Sequence, residues 1–125
     1  MPAPVIVVDD DQETRGAAAA ALRAAGLEIV AFDDPMTALE AIEKDSRARI
    51  LISRTSFGPG KLHGLALARM LRRKQLVQDG KSSLRCIFIG PPEDLRHAAD
   101  EGEFMTVPLA PQALVGAVRK ALVGD

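Results

Sequence analysis

Short apolar runs along the chain alternate with longer stretches in which apolar residues recur every three or four positions. Val5-Ile6-Val7-Val8 is continuous and β-branched, the pattern of a strand covered on both faces. Residues 12–25 follow as an alanine-rich helix closed by Gly26, and residues 28–32 form a second strand. Asp34-Pro35 is a helix start, a capping carboxylate followed by proline at the first helical position. Ala38, Leu39 and Ile42 then supply an amphipathic stripe. Residues 49–53 predict a third strand, followed by a Gly/Pro-rich loop over 55–63. A third helix covers 64–75, with Leu67, Met70 and Leu71 on one face. A polar turn follows over 78–83. Residues 86–89 predict a fourth strand stopped by Gly90-Pro91-Pro92. A short helix covers 93–101, a fifth strand 104–107, and a last helix 111–123. That helix carries Leu114, Ala117, Val118, Ala121 and Leu122 on one face.

Five strands alternating with five helices imply right-handed crossovers and a parallel sheet covered on both sides. The expected class is α/β: a flavodoxin-like, doubly wound five-stranded parallel sheet of order 2-1-3-4-5 with five helices. Ligands of such sheets sit beyond the carboxyl ends of the strands. The residues there are Asp9-Asp10-Asp11 after strand one, Arg54 after strand three, Gly90 after strand four and Val107-Pro108 at the end of strand five.

Composition narrows the functions this frame could serve. The 125 residues suit one domain, 1–125. Sixteen Lys and Arg against seventeen Asp and Glu leave a net charge of −1, so no general attraction draws the chain to nucleic acid or anionic membrane. Trp and Tyr are absent and Phe numbers four, too few for base stacking. The lone Cys86 excludes an internal disulfide framework and reads as a buried small hydrophobe. No apolar run approaches the ~20 residues of a membrane span, and the N-terminus lacks a basic signal-peptide start. A cytoplasmic location is the expectation.

Other motifs carry little. Gly58-Pro59-Gly60-Lys61 has one residue between its glycines and Leu62 after its lysine, so it is a turn and not a phosphate loop. His63 and His97 lack metal spacing and a nucleophile partner, and read as surface residues. Arg69, Arg72, Arg73 and Lys74 form a basic helix end, favourable against the helix dipole.

The Asp9-Asp10 pair after a Val-Ile-Val-Val strand, Gly64 before helix three and the Val107-Pro108 corner resemble the response-regulator receiver domains of two-component systems, over residues 5–123. The resemblance implies the CheY-like form of the fold. It also implies a phosphorylation site in which two acidic residues and an acceptor Asp hold Mg²⁺, a Lys neutralises the phosphoryl group and a Thr or Ser binds its oxygen. The chain departs from that pattern at three of these positions. Arg54 stands at the phosphoacceptor position, Val107 at the lysine position and Gly90 at the hydroxyl position, with Phe104 at the place of the switch aromatic. A guanidinium has no nucleophilic oxygen and keeps its charge.

The expectation is therefore a degenerate pseudo-receiver, not an enzyme, with an acidic crevice of Asp9 and Asp10. Arg54 reaches towards those carboxylates, and Mg²⁺ binds at Asp9 and Asp10 weakly or not at all. No other cofactor is expected. A stand-alone domain of this length would leave no room for a DNA-binding output domain, unless the chain is a fragment. Its partner would be a protein, a histidine kinase or another signalling protein, or a second copy through helix four, strand five and helix five. Contact residues would be Arg96, Asp100, Arg119 and Lys120 around Phe104. Two alternatives stay open: a receiver phosphorylated at Ser53, Thr55 or Ser56, and a flavodoxin-like small-ligand binder whose pocket Arg54 and Phe57 would have to leave open.

Overall fold

The computed structural model describes residues 5–44, 48–80 and 82–123, with the side chains of residues 43, 44 and 79 left undescribed. Five strands, β1 (Val5–Val8), β2 (Ile29–Phe32), β3 (Ile50–Arg54), β4 (Arg85–Gly90) and β5 (Glu103–Thr106), form one parallel sheet of order β2-β1-β3-β4-β5. The helices are α1 (Gln12–Ala24), α2 (Pro35–Lys44), α3 (Gly64–Asp79), α4 (Leu95–Ala98) and α5 (Pro111–Val123), with a 3-10 turn at Pro92–Asp94 leading into α4. This is the doubly wound order expected from the alternation of elements.

Strand alternation explains why β1 is apolar throughout and why β3 and β4 carry continuous apolar runs, Ile50–Ile52 and Cys86–Ile89. Successive side chains point to opposite faces, and helices cover both faces. Val5, Val7, Ile50, Ile52, Ile87 and Ile89 pack with α1 and α5 through Ala18, Leu22, Leu114 and Val118. Ile6, Val8, Leu51, Cys86 and Phe88 pack with α2 and α3 through Ala38, Leu39, Ile42, Leu67 and Leu71. The edge strands β2 and β5 are only partly covered; β5 is mixed in sequence, whereas β2 is apolar yet part-exposed because it lies at the sheet edge.

Local chemistry sets the helix ends. Asp11 caps α1 by accepting the Thr14 N–H at 2.9 Å. That helix closes in a Schellman arrangement, Leu27 N–H to the Leu22 carbonyl and Gly26 N–H to that of Arg23. Asp34 accepts the N–H groups of Met36 and Thr37, as its position before Pro35 implies.

Several boundaries differ from the sequence reading. Helix α3 runs to Asp79, beyond the expected end at 75 and through the start of the expected turn at 78–83. The helix is closed by Gly80 in a left-handed conformation, its N–H on the Leu76 carbonyl at 2.9 Å, while buried Gln75 donates its amide to the Ala48 carbonyl and accepts from the Ser82 hydroxyl. Arg69, Arg72, Arg73 and Lys74 are therefore mid-helix, not a C-terminal cluster. Arg69 and Arg72 pair with Glu101 at 3.1 and 2.8 Å. Met70 is 41% exposed, and Ala68 takes the buried place assigned to it. The expected 93–101 helix is only the 3-10 turn and the four residues of α4. Arg54 and Gly90 are the last residues of their strands, not the first after them, and β5 stops at Thr106.

Candidate functional site

The register places Val8 opposite Ser53 and Arg54 opposite Ile89, so the residues leaving β1 meet the end of β3. Asp9 continues the line of β1 with its N–H on the Phe32 carbonyl at 3.0 Å. Its carboxylate is buried. Oδ1 accepts the Asp11 N–H at 2.8 Å and Arg54 Nε–H at 2.6 Å, while Oδ2 is buried with no hydrogen-bond partner. Arg15 donates to the Asp9 main-chain carbonyl at 2.9 Å. The guanidinium of Arg54 reaches further, with Nε 3.8 Å from Asp10 Oδ1 and Nη2 3.9 Å from Asp11 Oδ2 and 3.4 Å from the Thr14 hydroxyl. One cation thus stands among three consecutive acids.

The three acids differ in environment. The Asp9 side chain is 2% exposed, those of Asp10 and Asp11 46% and 50%. Asp10, placed in the crevice by sequence, faces solvent at its rim. Burial pushes the Asp9 carboxyl above its ordinary range, outweighing the Arg54 and Asp11 donors that pull it down. Asp11 is held below that range, chiefly by the Thr14 hydroxyl and N–H. Beside this site Lys61 pairs with Asp34 at 2.7 Å, which lowers the Asp34 carboxyl and raises the Lys61 amine.

The donor set does not fit Mg²⁺. That ion demands a near-octahedral shell of oxygens at about 2.0–2.1 Å. Here a permanently charged guanidinium is bonded to Asp9 Oδ1 and stands within 4 Å of Asp10 and Asp11, so the positive charge a metal would bring among these acids is already in place. Among the described residues, no group of three or more His, Cys, Asp or Glu could hold a metal ion.

The remaining positions singled out in the sequence converge on the same sheet end. Val107 donates its N–H to the Gly90 carbonyl at 3.0 Å, and its side chain packs with the α1/α5 layer. Phe104 lies beside Phe88 in the ladder and packs, half-buried, against the α2/α3 layer. Gly64 crosses the end of β3 so closely that a Cβ would lie 1.9 Å from the Arg54 carbonyl oxygen. Ser53 is fully buried, its hydroxyl donating to the Arg54 carbonyl at 2.9 Å. Phe57 does not line the crevice; it is buried in the α2/α3 layer.

Sequence reasoning did not assign the contact that Thr55 makes. Its hydroxyl donates to Asp94 Oδ2 at 2.6 Å and sits against Gly90. Extending the β3–β4 register by one residue would have placed Thr55 opposite Gly90; the reach of Asp94 back to the sheet has no signal in the chain. A cavity of about 940 Å³ opens at the other end of the sheet, between Arg49, Arg72, Arg85, Glu101, Glu103 and Lys120, away from the three acids. Among the described residues, no helix is long and apolar enough to cross a membrane.

No protein-family model and no curated protein matches the chain. Solved structures do. A response regulator receiver domain protein from Clostridium thermocellum superposes with a TM-score of 0.76 at 18% identity, covering 98% of this chain and 95% of that one. The chemotaxis protein CheY4 of Vibrio cholerae gives 0.75 at 20% identity, over 95% and 98% of the two chains. NtrX from Brucella abortus gives 0.80 at 23% identity, over 98% of this chain and 27% of that longer one. The fold is that of receiver domains.

Proposed function

We propose that this chain is a receiver-type module of two-component signalling that does not accept phosphate and acts by binding a protein, without enzymatic activity. The observation that carries the reading is the 2.6 Å pair between Arg54 and Asp9. In a receiver site a bound cation offsets the repulsion among carboxylates; here Arg54 supplies that positive charge permanently and from within the chain. The same residue fills the acceptor position, where an attacking carboxylate would be required. Val107 brings no charge to neutralise a transferred phosphoryl group, and Gly90 brings no hydroxyl. Mg²⁺ then has no role, because its place among the acids is taken.

The hydroxyls that an atypical acceptor would require support the same reading. Ser53 and Thr55 are buried and already donating, to the Arg54 carbonyl and to Asp94. Ser56 is exposed and lies two residues after the end of β3. For a small-ligand binder the described cavity is at the wrong end of the sheet, its lining mixing cations and carboxylates. The partner is a signalling protein, such as a histidine kinase, or a second copy. The exposed Arg96, Asp100, Arg119 and Lys120 around Phe104 form the surface it meets. Charges placed so tune association rate and orientation more than affinity.

The deciding experiment is intact-mass measurement after incubation with acetyl phosphate and Mg²⁺, and again with a phosphorylated histidine kinase. The expected mass is unchanged in both. A phosphoryl adduct in near-stoichiometric yield overturns the reading.

A further inference from the structure

Thr55 extends the ladder of β3 past its last strand residue, with its N–H on the Ile89 carbonyl at 3.0 Å and its own carbonyl accepting the Gly64 N–H. It is 6% exposed, so its hydroxyl requires a partner within the protein. The partner is Asp94 Oδ2, at 2.6 Å and 39 residues away in sequence. Asp94 precedes α4 at the helix-capping position, yet its carboxylate makes no capping bond. Across the sheet, a Cβ on Gly90 would lie 2.3 Å from Thr55 Oγ1 and 3.3 Å from Asp94 Oδ2. The Thr55 hydroxyl therefore occupies the space that a side chain at position 90 would need.

We propose that Thr55 and Asp94 form a latch that ties the segment from Pro91 through α4 to the end of β3 and holds it in one position. The hydroxyl missing from Gly90 is supplied from the neighbouring strand, and the absence of a Cβ at Gly90 makes room for it. Because Thr55 follows Arg54 directly, the strand end that pairs with Asp9 also anchors α4. A module without a phosphorylation step then presents its α4–β5 surface in one conformation. The latch deepens the functional proposal, resting on it only for the meaning of that surface; the contact and its consequence for α4 do not depend on it.

The test is hydrogen exchange on the chain alone, without phosphodonor or partner. The reporters are the amides of Ala99, Glu101 and Gly102, which bond to the carbonyls of Leu95 and Ala98. Thr55→Val keeps the shape and removes the donor, and Asp94→Ala removes the acceptor. Each is expected to speed exchange at these reporters about tenfold to a hundredfold, the range of a hydrogen bond to a charged group. The double variant is expected to be no faster than either single one, while amides of α1 and β1 are unchanged. Unaltered exchange in both single variants, or effects that multiply in the double variant, overturns the latch. A phosphoryl adduct in the mass assay would sink the functional proposal and leave this result standing. If Thr55→Val fails to fold, Asp94→Ala, at a half-buried position, decides the matter by itself.

Discussion

Arg54→Ala is the perturbation that bears most directly on the site. It removes the charged partner of a carboxylate that is 2% exposed and leaves Asp9 with the Asp11 N–H alone. Breaking a fully buried pair by deleting one partner costs about 3–5 kcal/mol, and an exposed pair is worth about 0–1 kcal/mol. With Arg54 itself 21% exposed, water enters the space it leaves, and the loss comes to about 2 kcal/mol. At about 4 °C per kcal/mol for a chain of this length, Tm falls by about 8 °C at neutral pH. The loss depends on pH in a defined direction. Burial raises the Asp9 carboxyl above its ordinary 3.8, so its contribution to stability is fully present below 3.8 and is lost as pH rises through the folded value. Removing Arg54 removes a lowering influence, so the folded value climbs and the loss above it grows. The deficit of the variant is therefore small in acid and full at neutral pH. With the guanidinium gone, Mg²⁺ gains access to Asp9 and Asp10. At about ten times its Kd it restores ~1.4 kcal/mol by linkage, while the parent shows no such gain. Thermal melts of parent and variant across pH, with and without Mg²⁺, check all of this. A variant that melts with the parent at neutral pH, or a parent stabilised by Mg²⁺ as much as the variant is, refutes the pairing argument.

Three further outcomes are expected. Gly64→Ala puts a Cβ against the Arg54 carbonyl oxygen and costs about 3 kcal/mol or more, read as a drop in urea midpoint; a loss below about 1 kcal/mol would mean that the crossing relaxes freely. Cys86 is buried and its thiol is pushed up to about 11, so at pH 8 iodoacetamide is expected to label it only after denaturation; native labelling at the rate of a free thiol would contradict its burial. Phe104→Ala and Arg119→Glu are expected to weaken self-association or kinase binding in sedimentation or pull-down experiments. Arg73→Glu, on α3, is expected to leave it intact; the reverse pattern would move the interface to α3.

Much of the fold was legible in the chain because its signals are local. The short β-branched apolar runs at Val5–Val8 and in β3 and β4 fit strands covered on both faces, and the caps at Asp11 and Asp34 act within three residues. Those runs, with right-handed crossovers, lead to a parallel doubly wound sheet, and five units fit the order 2-1-3-4-5 that the structure has. They also bring Asp9, Arg54, Gly90 and Val107 to one end, and charge alone says that a guanidinium beside two acids should pair with them. Tertiary structure decided what no local signal encodes. It buried Asp9 and left Asp10 at the rim, because Asp9 continues the line of a central strand while Asp10 turns into the α1 cap. It buried the polar Gln75 on α3, because its amide and oxygen find the Ala48 carbonyl and the Ser82 hydroxyl there. It joined Thr55 to Asp94, because a glycine at 90 leaves a gap in the sheet whose size depends on three segments distant in sequence. Periodicity and capping are properties of neighbouring residues, whereas burial and the filling of a gap belong to the whole packed chain.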